Sequence, residues 1–329
     1  MSKLVTIFGG SGFVGRQIAR RMAQQGWRVR VACRRPNEAL FVRTYGSVGQ
    51  VEPVFCNIRD DASVAAVLSG ADAVVNCVGT FDKGGANNFD AVQHEGAGRL
   101  AMAAAAAQAA QLVHISAIGA DKASASAYQR SKADGEAAVR AAFPEAVILR
   151  PSVIFGSGDN FFTRFAGMAR MGPILPIIGG NTRFQPVHVD GVAEAAVKGV
   201  LGQVAAGIYE LGGPDVDTFR GLMDRMLGVI NRRRLVINLP FWVGGIMGGV
   251  LDLGSAVTVG LFTNSVLTRD QVKSLRHDNV VSKSARGFDD LGIVPAAMGA
   301  VLPDYLWPFR PSGQFDAIKA SAKNLRELS

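Results

Sequence analysis

The chain has 329 residues, 48% hydrophobic and 19% charged, enough to bury a sizeable core without disulfide or metal staples. With only 13 Pro, and no tripeptide period through its 39 Gly, it is neither a disordered chain nor a collagen-like fibre. Its formal net charge is +8, concentrated at the start, where Lys3, Arg16, Arg20, Arg21, Arg28, Arg30, Arg34, Arg35 and Arg43 face Glu38 alone.

Leu4 to Phe8 reads as a strand, Gly12 to Gln25 as a helix, and Arg28 to Cys33 as a second strand. Val51 to Cys56, Ala73 to Val78, Leu112 to Ser116 and Ala146 to Leu149 supply four more strands. The intervening Ala62 to Leu68, Phe89 to Ala110 and Ala125 to Ala142 are rich in good helix formers. This alternation predicts an α/β fold, a Rossmann-like doubly wound parallel sheet with right-handed crossovers. After Arg150 the rhythm breaks at Pro151, Pro173, Pro176 and Pro186, and helices return at Val189 to Leu201 and Thr218 to Ile230. The expected division is a core over 1–150 and a smaller lobe over 151–329, interleaved with it. Trp242 to Phe262 carries a single charge, Asp252, and is long enough to span a bilayer, although six glycines interrupt it. Behind Arg232, Arg233 and Arg234, that segment is read as spanning, as interfacial or docked, or as a buried helix pair. A tail over Asp304 to Ser329 is expected to reach out as an extended arm.

The strongest local signal is FGGSGFVG, directly after the first strand and opening a helix. Glycine is needed where the chain turns sharply and where backbone approaches a pyrophosphate, and the helix N-terminus offers N–H groups to the phosphates. Gly9, Gly10, Ser11, Gly12, Phe13, Val14 and Gly15 are the candidate dinucleotide-binding residues. An NAD site places a carboxylate at the end of the second strand; here Arg34 and Arg35 stand there, as donors for a 2′-phosphate. NADPH is therefore the expected cofactor. Asn57 and Ile58, then Cys77, Val78 and Gly79, follow the third and fourth strands, where ligands bind in open α/β sheets. The 3 cysteines, Cys33, Cys56 and Cys77, form no CxxC pair; they read as small buried residues of a reducing compartment. His94, His114, His188 and His277 show no metal spacing, and no metal is expected. Without RNP aromatics or zinc-finger spacing, the basic start does not read as a nucleic-acid module.

YQRSK places Tyr128 and Lys132 one helical turn apart. An ammonium near the phenol favours phenolate and lowers its pKa, so Tyr128 is a candidate acid/base at a carbonyl or alcohol, with Ser116 orienting that oxygen.

In these motifs the chain resembles the short-chain dehydrogenase/reductase superfamily, in its extended or atypical branch. FGGSGFVG, NCVG (Asn76 to Gly79), Ser116, YQRSK, RPSVIFG (Arg150 to Gly156) and HVDGVAEA (His188 to Ala195) match in order. Phe8 stands where Thr is frequent, and Asn57 where an aspartate is common. The resemblance implies NADP(H) held also by Ser116, Tyr128, Lys132, Pro151 and Val153, with hydride transfer at nicotinamide C4. HISAIGAD, FPEAVILRPSVIFG, MGPILPIIG and LTRDQVKSLRHDNVV further resemble the nucleotide-binding accessory subunits of respiratory complex I, over most of the chain. That resemblance implies a tightly held NADPH without independent turnover and partners among the other complex I subunits. It also implies peripheral contact with a membrane surface. No transit peptide is expected before the first strand, so the implied location is the cytoplasmic face of a bacterial inner membrane, or the matrix side if eukaryotic. The alternatives are an independent NADP-dependent reductase or epimerase using Tyr128 and Lys132, and an NADP(H)-binding redox sensor.

Overall fold

The first strand, LVTIF, is buried at every position, as a central parallel strand covered on both faces must be. In a computed structural model that describes residues 2–81, 84–246, 248–249 and 268–315, the elements follow the expected alternation. They run β1 (Leu4–Phe8), α1 (Phe13–Gln24), β2 (Arg28–Cys33), β3 (Val51–Phe55), α2 (Asp61–Leu68), β4 (Ala73–Asn76), α3 (Glu95–Ala106), β5 (Gln111–Ile115), α4 (Ala127–Ala142) and β6 (Val147–Pro151). Then come β7 (Ile154–Phe155), α5 (Phe162–Met171), β8 (Ile174–Ile178), β9 (Arg183–Phe184), β10 (Val187–His188), α6 (Val189–Val200), β11 (Gly207–Leu211), β12 (Asp217–Thr218), α7 (Phe219–Val229) and β13 (Leu235–Leu239).

Seven strands form one sheet in the order β11-β6-β5-β4-β1-β2-β3, with every neighbour parallel. The order reverses between β1 and β4, and in open α/β sheets ligands bind at the carboxyl ends of the strands at such a reversal. Phe8 pairs with Ala32 on one side and Asn76 on the other, so the three strand ends stand level.

Two compact units result: Met1–Ser152 with Val189–Gly212 and Val281–Pro295, and Val153–His188 with Gly213–Val280 and Ala296–Ser329. Past residue 152 the chain returns twice to the first unit, at Val189–Gly212 and Val281–Pro295. Helix α6 and strand β11 belong to the first unit, because β11 pairs with β6 from Gly207↔Val147 to Leu211↔Pro151. Strand β11, which periodicity does not mark, is thus explained by pairing distant in sequence.

In the first unit a core of Phe8, Val64, Leu68, Leu100, Leu112 and Val139 lies against one face of the sheet. The alanine-rich α3 is packed, not merely solvated: Ala97, Leu100, Ala101 and Ala104 are fully buried. Small residues let α3 and α4 approach closely; a Cβ at Gly98 would lie 3.1 Å from Ala138 Cβ, and one at Gly135 would collide with Gln93 O. The helix expected over Phe89 to Ala110 begins as a π-turn at Asp90–His94 before α3. The second unit has its own core, in which Phe155, Phe162, Phe184 and Phe219 meet Met223 and Met226.

Among the described residues no helix is long and apolar enough to cross a membrane. Most of the Trp242 to Phe262 segment, including Asp252, and residues 316–329 of the expected arm lie outside the described residues.

Candidate dinucleotide and acid/base site

The turn after β1 is built for close approach. Gly9 has φ +72, and a Cβ there would lie 3.1 Å from the Cys77 carbonyl at the end of β4. At Gly15 a Cβ would lie 2.7 Å from Gly10 Cα, with Gly9 O closer still, so α1 can start directly against the turn only with glycine there. The amides of Gly9, Gly10 and Gly12 donate to Ala32 O (2.9 Å), Ile7 O (3.2 Å) and Gly9 O (3.0 Å). These three glycines therefore shape the turn. The donors it offers are at the start of α1, at Phe13 and Val14, where no side chain caps the helix and no acid stands in the first turn.

A cleft of about 280 Å³ opens at the sheet reversal, entirely within the first unit. Of the candidate cofactor-binding residues, Gly9, Ser11, Gly12, Arg34, Asn57, Ile58, Cys77, Val78 and Gly79 line it. Phe8, Ala32, Cys33, Cys56, Thr80, Asn87 and Val92 line it as well. The last three come from the loop and π-turn after β4, whose inward direction has no periodic signature. The two arginines part company. Arg34 lines the cleft, whereas Arg35 points to Glu38 at 3.3 Å in an exposed pair. Asn57 is held at the mouth of β3, its N–H donating to Ser63 Oγ (3.0 Å) and its Oδ1 accepting from Arg59 N (3.2 Å). Among the described residues no group of three or more metal-ligating side chains occurs.

The cleft's glycine floor, its helix N-terminus and the absence of a carboxylate at the end of β2 fit a dinucleotide diphosphate with its adenosine side. Comparison with known proteins agrees. Residues 5–212 match the model of the NAD dependent epimerase/dehydratase family. The chain belongs to that family. It is 32% identical to the mitochondrial NADH dehydrogenase [ubiquinone] 1 alpha subcomplex subunit 9 of Arabidopsis thaliana, covering 94% of this chain and 79% of the relative. It is 29% identical to the NADH-ubiquinone oxidoreductase 40 kDa subunit of Neurospora crassa, over 98% and 84% of the two chains. A ceramide reductase of Caulobacter vibrioides is 32% identical over 86% of this chain and 87% of the relative. In fold, the chain is similar to the Bordetella bronchiseptica enzyme WbmH in complex with NAD+, with TM-score 0.68, 17% identity and coverage of 95% and 100%. Membership of that family supports binding of a nicotinamide dinucleotide by this chain.

At the acid/base end, Ser126 caps α4 by accepting from Gln129 N (3.3 Å), which sets Tyr128 and Lys132 on one helix face. Lys132 Nζ lies 6.0 Å from the Tyr128 ring centre and donates to Ile115 O at the end of β5 (3.2 Å). A Cβ on Gly79 would come within 3.8 Å of that ammonium, so Gly79 leaves it room beside the cleft. The electrostatics differ from expectation. Burial pushes the Tyr128 phenol up to about 12, and it pushes the Lys132 ammonium down to about 8 against the opposing pull of Glu136 and Cys77. Desolvation of both groups outweighs the lysine's stabilisation of a phenolate.

Ser116 is placed differently from its expected role. It is buried, and its hydroxyl donates to Glu136 Oε1 (2.5 Å), so its proton is not available to orient a substrate oxygen. Glu136 in turn accepts both arms of Arg150 (2.9 and 2.6 Å), which also faces Glu210 at 3.6 Å. This buried ion network continues the four-residue spacing of Tyr128 and Lys132, a signal that could have identified Glu136 beforehand. Pro151 ends β6 in the first unit, and Val153 belongs to the second.

Two aromatic rings that sequence reasoning missed cover Tyr128. Phe81 stacks on it at 5.2 Å and 20°, and Phe89 meets it edge-on at 5.9 Å. Behind the lysine, His114 Nδ1 pairs with Asn76 Nδ2 (3.1 Å), while its buried Nε2 finds no partner among the described residues. Burial and the nearby Lys132 hold this imidazole neutral, its pKa lowered to about 3.

Proposed function

We propose that this chain is an NADP(H)-binding accessory subunit of respiratory complex I, docked on the hydrophilic arm near the membrane and quinone module. It would sit on the cytoplasmic face of a bacterial inner membrane, or on the matrix side if eukaryotic. The observation that carries the reading is the extent of similarity: the complex I subunits of Arabidopsis and Neurospora match over 94% and 98% of this chain, second unit included. The geometry is in keeping with a ligand held without turnover. Tyr128 lies under Phe81, its phenol is pushed away from ionisation, and Ser116 is committed to Glu136. A dinucleotide that binds only the native chain stabilises it by about 4 kcal/mol at a thousandfold over its dissociation constant.

For the nucleotide, the end of β2 favours NADP(H). Arg34 on the cleft wall offers a forked donor to a 2′-phosphate, and no carboxylate there would hold a free ribose 2′-hydroxyl. When bound, the dinucleotide supplies a hydride-carrying nicotinamide. Phe13 and Val14 amides would hold its diphosphate, and Lys132 would reach its nicotinamide ribose from beneath Tyr128.

A second reading, an independent reductase, is favoured by two observations: Tyr128 and Lys132 stand together on α4 beside the cleft, and the Caulobacter relative carries the name ceramide reductase. Solubilised membranes fractionated by size separate the two. Migration with a large NADH-oxidising assembly is expected, with loss of that assembly on deletion. Migration as a free small protein sinks the subunit reading. Tyr128→Phe is expected to leave assembly and nucleotide content intact. A respiratory or lipid-reduction defect with nucleotide still bound would transfer support to the enzyme.

A further inference from the structure

The loop that leaves β4 carries two neighbouring asparagines with different employment. Asn88 is spent on its own turn: its Nδ2 donates to Gly85 O (3.0 Å) and its Oδ1 accepts from Ala91 N (2.9 Å) at the start of the π-turn. Asn87 is half-buried, lines the cleft with Val92, and has no side-chain partner among the described residues. Its amide carries an acceptor oxygen and two N–H donors, so a ligand in the cleft meets both senses of hydrogen bond at one side chain.

The other polar side chains of the cleft offer less. Asn57 Oδ1 already accepts from Arg59 N (3.2 Å), which leaves that residue chiefly its Nδ2 donors. Arg34 has donors alone. Ser11 belongs to the glycine turn, beside the start of α1 where a diphosphate would lie. Among the described residues that line the cleft, Asn87 therefore supplies the one side-chain carbonyl oxygen that no hydrogen bond occupies. The walls nearby are apolar. Ile58 and Val92 both line the cleft, and a Cβ at Gly96, one turn after Val92, would come within 3.3 Å of Ile58. The π-turn and the residues after β3 thus close on the same space.

Apolar walls with one unspent amide between them suit a flat heteroaromatic base. The outer edge of adenine presents an amino donor beside the N7 acceptor, and an asparagine amide meets that pair with its oxygen and one N–H together. Hypoxanthine presents two acceptors along the same edge, and a single amide cannot satisfy both in either orientation. We propose that Asn87 is the base-reading residue of the cleft, its amide paired with the 6-amino group and N7 of adenine. The inference rests on the dinucleotide reading proposed above and adds to it the residue that selects the base.

Equilibrium titrations of the full chain, read by nicotinamide fluorescence, compare NADPH with its 6-oxo analogue, the reduced hypoxanthine dinucleotide phosphate. The wild type is expected to bind NADPH at least about fivefold more tightly, the lower end of what a bidentate asparagine–adenine pair discriminates. Asn87→Leu keeps the side-chain bulk and removes the amide. It is expected to weaken NADPH and to bring the two dinucleotides within about twofold of each other. Asn57→Leu is expected to weaken both alike and to preserve their ratio. Thermal denaturation checks that each variant is folded. The proposal is overturned by an Asn87→Leu chain that keeps the wild-type ratio, or by Asn57→Leu being the variant that loses it. Equal binding of the two dinucleotides by the wild type overturns it whether or not a variant folds. A wild type that binds neither dinucleotide would refute the dinucleotide reading itself, whereas equal and tight binding of both refutes the base assignment alone.

Discussion

Replacing Gly15 by alanine tests whether the turn after β1 is the nucleotide cradle. Alanine is the better helix former by about 1 kcal/mol, so on propensity alone the change at the head of α1 should stabilise the chain. The tertiary structure reverses that sign. The new Cβ would sit 2.7 Å from Gly10 Cα and 3.0 Å from Gly9 C, where carbon atoms rest at about 3.5–4.0 Å. Both neighbours are backbone, so relief requires the turn to open by most of an ångström. That movement strains the bonds from Gly9 N to Ala32 O and from Gly10 N to Ile7 O. Overpacking costs about 1–3 kcal/mol and each weakened hydrogen bond about 1 kcal/mol, which exceeds the helix gain. The expected net loss is about 2–4 kcal/mol, a melting temperature lower by several degrees, and an NADPH dissociation constant raised at least about tenfold. Gly26→Ala is the control. Nothing lies within 4 Å of its Cβ but its φ is +78, so stability should fall by about 1 kcal/mol while NADPH affinity stays unchanged. Thermal denaturation and fluorescence titration of NADPH measure both quantities. A Gly15→Ala chain that melts at or above the wild type and titrates identically would refute the reasoning.

Arg34→Ala should weaken NADPH about tenfold or more and NADH little, whereas Arg35→Ala, which loses only the exposed pair with Glu38, should change neither in parallel titrations. Glu136→Ala would leave Arg150 facing only Glu210 and release Ser116, so urea denaturation should show a loss of about 3–5 kcal/mol. His114 is neutral in the fold with its pKa lowered to about 3 from an ordinary 6.5, so the unfolded chain binds the extra proton between those values. Stability should therefore fall as pH drops below about 6.5, by roughly 4 kcal/mol at pH 3, and His114→Gln should flatten that part of the profile in denaturant midpoints taken across it. Lys132, lowered to about 8 from 10.5, should make the apo chain more stable as pH rises from about 8 to 10.5, and Lys132→Met should abolish that rise.

Elements governed by local rules are readable directly from the residues. β1 and β2 are legible to the residue, because buried parallel strands are short apolar or β-branched runs closed by a turn. The glycine spacing of Gly9 to Gly15 located the cleft, and the four-residue step from Tyr128 to Lys132 placed both on one face of α4. Features that depend on partners far along the chain emerge from the folded arrangement alone. It assigned β11 to the sheet through β6, separated Arg34 from Arg35, and gave the Ser116 hydroxyl to Glu136 twenty residues on. It also brought Phe81 over Tyr128 and showed that burial, not the neighbouring ammonium, governs the phenol. The physical reason is common to all of these. Periodicity and turn chemistry act through a residue's immediate neighbours, whereas desolvation, side-chain pairing and strand order depend on groups that no spacing rule links.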